Sequence, residues 1–175
     1  DLSGVALRIN ALGWSRKPVK GTKLSLNLSQ ANGTPALKDI SVTGPGLTIK
    51  GEVALSSNRK LKSVTLSDVQ LDEDYRFTAR IEPAEKAMRI IIKGNALDAR
   101  PFIKSAISPV RGGEGKAALA TTTYDIDAEF DRVLTNRGEI IQNVRARVST
   151  GRSTVQSATV EGSFLSGLPI KLDVI

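Results

Sequence analysis

The sequence predicts a mainly β protein: a curled antiparallel β-sheet groove, open like a taco or a half-barrel. It would have about 9–11 strands and one short helix near 98–107. Short segments that alternate apolar and polar residues recur between turn residues, which is the pattern of half-buried strands. A single segment has helical spacing. Leu, Ile and Val supply most apolar residues, and large aromatics are scarce. One short helix cannot cover so many strands, so we expect one apolar face to stay unfilled.

Seven alternating segments precede the predicted helix. They are 4–12, LSLNLS, ISVTG, LTIKGEVAL, KSVTLSDVQL, YRFTARIE and MRIIIKG. Pro45 and Gly46 predict a type II turn, because proline fixes the first central position and glycine accepts the positive φ of the second. The apolar positions of KSVTLSDVQL change parity near Ser67 and Asp68, which predicts a β-bulge.

The segment after MRIIIKG predicts the helix. Gly94 and Asn95 should end the strand, Asp98 should cap the helix, and Pro101 should lie in the first turn, where its missing donor costs nothing. The apolar face of this helix comprises Phe102, Ile103, Ala106 and Ile107. A helix of about ten residues is unstable alone, so we expect that face to dock on the sheet as a cover or end plug.

Four more strands are predicted after the glycine-rich stretch 111–123, which we expect to be mostly loop. They are YDIDAEFDRVL, IIQNVRARVST, TVQSATVEGSF and LPIKLDVI. The pattern suits a long sheet made of successive hairpins rather than a closed two-sheet globule. Since no linker marks a boundary, 1–175 is predicted to be a single β-groove segment. The chain begins at Asp1 rather than Met, so we expect a fragment of a longer protein, with terminal strands whose unpaired edges allow self-association.

Composition narrows the function classes. The formal net charge of +7 favours phosphate-bearing partners. Nucleic acid is not expected, because the basic residues are scattered and few aromatic rings can stack on bases. The chain has no Cys and no His, which removes the usual zinc sites, thiol nucleophiles and imidazole-dependent triads. We therefore expect no enzyme and no cofactor, and the lack of Cys favours an oxidising compartment.

Two acidic clusters are candidate cation sites. One lies on alternate positions of a single strand: Asp125, Asp127, Glu129 and Asp131. The other lies at a turn: Asp68, Asp72, Glu73 and Asp74. Alternate strand positions do not wrap a cation as a loop does, and acidic residues are ordinary at turns. We interpret both as solvated surface and predict no metal.

The apolar strand faces are the remaining candidate site. YRFTARIE and MRIIIKG should pair antiparallel, with Arg76, Arg80 and Lys93 in water. An apolar stripe is most often core, but on an uncovered sheet an acyl chain could complete the missing layer. The predicted lipid-binding groove comprises Leu24, Leu26, Ile49, Val53, Tyr75, Phe77, Ile81, Ile90, Ile92, Ile126, Phe130, Val144 and Val148.

Three stretches resemble the AsmA-like superfamily of bacterial envelope proteins. They are TGPGLTIKGEVAL, IIIKGNALDARPFIKSA and DIDAEFDRVLTNRGEIIQNVRARVSTGRSTVQSATVEGSF. The likeness runs from about Leu24 onward and is greatest to the alphaproteobacterial type, whose periplasmic region is like that of YhdP and TamB. The resemblance implies a periplasmic groove section in a parent protein anchored in the inner membrane. The implied partners are phospholipid or another acyl lipid and neighbouring β-groove segments of the parent chain.

The sequence therefore predicts a section of a bridge-like lipid transport protein that shields acyl chains between inner and outer membrane, without catalysis. Two alternatives stay open. A structural or partner-binding β-module in outer-membrane biogenesis would have its apolar faces filled by protein. A glycan-binding β-domain would need a row of exposed aromatic side chains.

Overall fold

The computed structural model describes residues 1–9, 12–31, 34–107, 123–151 and 155–174. Within them the protein is mainly β, which confirms the predicted fold class: an open, curled, mostly antiparallel sheet with one short helix. The helix is α1 (Arg100–Ile107). The strands are β1 (Leu7–Ile9), β2 (Trp14–Arg16), β3 (Lys23–Ala31), β4 (Thr34–Gly44), β5 (Leu47–Leu55), β6 (Leu61–Leu71), β7 (Tyr75–Pro83), β8 (Met88–Asp98), β9 (Tyr124–Leu134), β10 (Ile140–Thr150), β11 (Val155–Phe164) and β12 (Pro169–Val174).

Strands β3 to β12 form one ten-stranded sheet whose spatial order follows the chain, so β3 and β12 are its edges. Neighbouring strands are antiparallel except β8 and β9, which are parallel, with Met88 beside Tyr124. The expectation of successive hairpins was wrong at this point, because the chain passes through α1 before it returns to start β9. A parallel pair requires such a crossover. The predicted helix stop at Ser108 and Pro109 and the predicted loop up to residue 122 lie outside the described residues.

The N-terminal segment differs from its prediction. Instead of one strand over 4–12, the chain forms a separate hairpin in which β1 pairs with β2. Gly13 lies in the turn with φ +62, a conformation that favours glycine, and brings Trp14 back towards the sheet. Trp14 Nε1 donates a hydrogen bond to Asp72 Oδ2 at 3.0 Å. The Tyr75 hydroxyl donates to the carbonyl oxygen of Leu12 at 2.9 Å. The hairpin is therefore tied to the turn between β6 and β7, and its apolar side chains join the core.

Strand β8 does not end at Gly94 and Asn95, as the sequence predicted, but continues to Asp98. At Gly94 an added Cβ would lie 2.4 Å from the Arg76 carbonyl oxygen and 2.8 Å from Phe130 Cε1. The glycine is therefore needed for a close approach within the sheet rather than for a strand end.

An irregularity in strand register lies in the middle of the sheet, at the level of Asn95. Relative to β7, strand β8 has one extra residue, Asn95, because Phe77 pairs with Gly94 and Arg76 with Ala96. The pairing of β8 with β9 and of β9 with β10 has no register shift. The pairing of β10 with β11 has one at this level, between Gln142 and Arg145. The residues level with Asn95 are Asp131 and Asn143. Apolar residues three positions apart consequently share one face, as Phe130 and Val133 do in the core.

Several local predictions are confirmed. Gly46 has the positive φ, +63, that the predicted turn requires. Ser67 is the bulge residue of β6, since Lys50 pairs with Asp68 and Gly51 with Leu66. Asp98 Oδ1 accepts a hydrogen bond from the backbone N–H of Arg100 at 2.9 Å, at the start of α1.

Candidate functional site

The strands place apolar side chains on one face of the sheet and charged ones on the other. Register then joins the apolar side chains into rows that run across the strands. Two of these rows differ in whether they contribute side chains to the buried core cluster. The "packed row" consists of Leu24, Val42, Ile49, Val69, Phe77, Gly94, Phe130 and Val144. The "open row" consists of Leu28, Leu37, Val53, Val64, Ile81, Ile90, Ile126, Val148, Ala158 and Val174.

Val69, Phe77, Phe130 and Val144 of the packed row belong to the buried hydrophobic core, and Val42 and Ile49 pack against it. Phe77 and Phe130 meet edge to face, with ring centroids 6.4 Å apart and planes at 75°. Trp14 belongs to the same cluster, and Leu7, Ile9 and Leu12 of the hairpin region pack against it. Four predicted groove residues are therefore buried core side chains: Tyr75, Phe77, Phe130 and Val144. Two more, Ile49 and Ile92, pack against this cluster.

The open row contains the predicted groove residues Val53, Ile81, Ile90, Ile126 and Val148. All five are half-buried, and they lie outside the core cluster that the described residues form. The row has one member on every strand of the main sheet and ends in exposed side chains, Leu28 on β3 and Val174 on β12. The predicted groove did not include the other five members, Leu28, Leu37, Val64, Ala158 and Val174, although the parity of Val64 within its strand was a usable signal.

The remaining predicted groove residues, Leu24 and Leu26, lie on the edge strand β3. Their exposed fractions are 44% and 48%. Leu24 ends the packed row, opposite Val42. The structure therefore divides the predicted groove into core residues, half-buried residues and an exposed edge.

On the opposite face, the carboxylates of β9 are engaged by neighbouring strands. Glu129 forms an ion pair with Lys93 at 3.0 Å, and this partner lowers the pKa of Glu129. Asp127 lies between Arg89, at 3.8 Å, and Arg147, at 3.5 Å. Asp125 accepts a hydrogen bond from Ser149, and Asp131 accepts one from Asn95. Among the described residues no group of metal-ligating side chains is placed to hold an ion, and the carboxylates instead form a ladder of cross-strand pairs.

The start of α1 is fixed by a charged contact. Arg100 Nε and Nη2 each donate to Asp98, both at 2.8 Å, and this lowers the pKa of Asp98. Beside it, burial and the charges of Asp98 and Asp74 raise the pKa of Tyr75 to about 12. The side chains of Asp98, Arg100 and Tyr75 thus stabilise the end of the sheet on which the hairpin packs.

The helix was predicted to cover the sheet with an apolar face of four side chains, of which the structure describes two, Phe102 and Ile103. Phe102 is 38% exposed, so this side chain is not the deeply docked anchor that the sequence suggested. Ile103 is half-buried, while the side chains of Ala106 and Ile107 lie outside those described. Pro101 lies against Gly13, whose added Cβ would be 2.5 Å from the proline Cβ. The start of α1 therefore contacts the turn of the hairpin, in addition to the ion pairs of Arg100 with Asp98 and Asp74.

Two depressions lie at the irregular points of the charged face. One, of about 800 Å³, lies along the Asn95 level between Lys93, Glu129, Arg145 and Glu161. The other, of about 410 Å³, lies between Asp39, Lys50, Glu52 and Ser67. Phe130 and Val144 of the predicted groove also line the first depression. Charged and small polar groups make up most of both linings, however, and do not suit an acyl chain.

Comparison of the chain with protein-family models, curated proteins and solved structures finds no match in any of the three. Within the described part of the chain, no helix has the length and apolar character needed to cross a membrane.

Proposed function

We propose that this chain is a section of a bridge-like lipid transport protein, which holds acyl chains on the open row without catalysing a reaction. The observation that carries the proposal is the continuity of that row. Register aligns one apolar residue from each of the ten strands, and its inner members remain half-buried. A surface that served only as core would be expected to bury these side chains as deeply as Val69, Phe77, Phe130 and Val144 of the packed row.

The dimensions suit this function. Strands lie about 4.8 Å apart, so a row across ten strands extends for roughly 43 Å. A single acyl chain spans about half of a bilayer core, ~15 Å, and would cover three or four strands. Each methylene that leaves water contributes about 0.8 kcal/mol, and Val and Ile side chains offer no polar group to oppose sliding. Passive movement along the row follows from this uniformity.

The resemblance to AsmA-like envelope proteins supports the same function. On this proposal the parent protein lies in the periplasm with an inner-membrane anchor, and its other β-groove segments are further partners of this chain. Phospholipid or another acyl lipid is the cargo.

A photo-crosslinking pair tests the proposal. Ile90 belongs to the open row, whereas the next residue, Ile91, lies on the charged face opposite Arg80 and beside Asp127. Both side chains are half-buried isoleucines, so they are matched in size and exposure. A photo-reactive residue at position 90 should capture phospholipid, while one at position 91 should not. Native mass spectrometry of the purified chain should also detect bound lipid that survives treatment with a chelator.

Equal labelling at the two positions, or no labelling with the protein folded, would refute lipid carriage. A partner-binding β-module would then be favoured, and the exposed leucines of β3 are the observation in its support. Glycan binding has less support, because Trp14 and Tyr75 are buried and hydrogen-bonded within the protein.

A further inference from the structure

The two edges of the main sheet differ in their protection against pairing with another strand. Edge strands are commonly protected by short length, proline and charged side chains. β12 has six residues, begins with Pro169 and carries Lys171, whose Nζ lies 3.5 Å from Glu161 and 3.6 Å from Asp173. β3 has nine residues, KLSLNLSQA, and Lys23 is its only charged residue. β3 is therefore the less protected edge.

The side chains of β3 also form an exposed apolar strip. Leu24, Leu26 and Leu28 have exposed fractions of 44%, 48% and 74%. Leu24 lies opposite Val42 and Leu28 opposite Leu37, so the strip continues the apolar face of the sheet. Among the described strands, β3 pairs only with β4, which leaves the backbone N–H and C=O groups of its other side for a partner. Exposed apolar strips of this kind mark interaction surfaces.

We propose that two copies of this chain pair through β3, antiparallel, about a two-fold axis at Leu26. In this register Leu26 faces Leu26 of the second copy, and Leu24 faces Leu28 of the second copy. On the charged face, Ser25 faces Asn27 and Lys23 faces Ser29, so no like charges oppose each other. A shift by one residue would put leucines against polar side chains, and a shift by two would leave Leu24 facing Gln30.

The pairing has a structural consequence that goes beyond lipid carriage. A two-fold contact uses the same patch on both copies and closes on itself. It would join two ten-stranded sheets into one continuous sheet. Because Leu28 ends the open row and Leu24 ends the packed row, the open row of each copy would meet the packed row of the other. The dimer would therefore bring the two apolar rows into line across the joint without requiring any lipid.

The oligomeric state of the 175-residue chain tests this inference. Light scattering across a concentration series should give a mass approaching twice 18.7 kDa. Leu26→Lys would place two like charges face to face on the axis and should weaken association at least tenfold. The matched control is Leu172→Lys on β12, where the leucine is 55% exposed, and it should leave the dimer intact. Circular dichroism of both variants should match the wild type, because both leucines are exposed.

A cross-link gives an independent test, since the chain contains no cysteine. Leu26→Cys should form a disulfide-linked dimer under mild oxidation, because its partner position across the axis is itself. Leu172→Cys should not. A chain that stays monomeric at all concentrations would overturn the inference. A dimer that Leu172→Lys disrupts, or that Leu172→Cys cross-links in preference, would also overturn it and place the contact on β12.

Discussion

The packed row and the open row belong to the same face of the same sheet, yet only the packed row contributes side chains to the buried core. On β7 they are represented by Phe77 and Ile81, two side chains of the same apolar parity. Phe77 is buried in the core cluster with Trp14, whereas Ile81 is half-buried outside it. Strand alternation therefore determines which face a residue occupies, but the N-terminal hairpin determines whether that residue is covered.

The rows also differ in shape. In the packed row, Gly94 lies between Phe77 on β7 and Phe130 on β9, and its missing side chain leaves room for the two rings to meet. Such alternation of large and small residues is typical of an interlocked core. From Leu37 on β4 to Val148 on β10, the open row has only Leu, Val and Ile side chains, such as Ile90 and Ile126. A uniform aliphatic surface suits a mobile acyl chain better than a fixed partner.

The largest predicted effect is the difference in stability loss between a substitution in the packed row and one in the open row. Phe77→Ala should destabilise the protein by about 3–5 kcal/mol, because it leaves a cavity beside Phe130. Ile90→Ala should cost about 1–2 kcal/mol, since a half-buried side chain loses less contact. Urea unfolding of both variants measures the difference. Equal losses would contradict the comparison, because they would mean that the open row is packed as tightly as the core.

The second predicted effect is a loss of stability when a side chain is added at Gly94, between the rings of Phe77 and Phe130. Gly94→Ala should destabilise by about 1–3 kcal/mol, since the new methyl group would collide with the Arg76 carbonyl oxygen and with Phe130. Gly4→Ala is the matched control, because among the described residues no heavy atom other than those of its chain neighbours lies within 4 Å of the added Cβ. Thermal unfolding should separate them. A neutral Gly94→Ala would show that the rings can move apart.

The third prediction tests the charged contact between Asp98 and Arg100 at the start of α1. Asp98→Asn should cost about 1–2 kcal/mol at neutral pH, because Arg100 loses a charged acceptor at the start of α1. The folded protein lowers the pKa of Asp98 from 3.8, so the wild-type advantage is complete above that value. It should be lost as pH falls through the lower folded pKa. Unfolding at a series of acidic pH values measures this, and a difference independent of pH would exclude the assigned role.

The smallest effect tests how the hairpin is held. Tyr75→Phe keeps the ring but removes the hydrogen bond to the Leu12 carbonyl, so we expect a loss of about 1 kcal/mol. The pKa of Tyr75 is raised from 10.0 to about 12, so the wild-type advantage should diminish as pH rises between these values. The fluorescence of Trp14, the single tryptophan, reports unfolding. An advantage that persists above that range would show that the hydroxyl does not hold the hairpin.

The sequence predicted local features well, because each depends on near neighbours along the chain. Side-chain direction in a strand follows the backbone, so alternation placed Ile81 and Ile90 on one face. The turn at Gly46, the bulge at Ser67 and the role of Asp98 at the start of α1 likewise followed from local conformational preferences. The same reasoning correctly predicted an open sheet with one helix.

Only the tertiary structure decided which part of the apolar face is core. Gly94 suggested a strand end from its immediate neighbours, but its function depends on Phe77 and Phe130, which lie far away in the chain. The hairpin around Trp14 and the parallel pairing of β8 with β9 likewise depend on distant contacts. Periodicity describes one strand at a time, whereas coverage and register depend on which strands and loops meet in space. For this reason the sequence predicted the apolar residues of the sheet but not their division into a packed row and an open row.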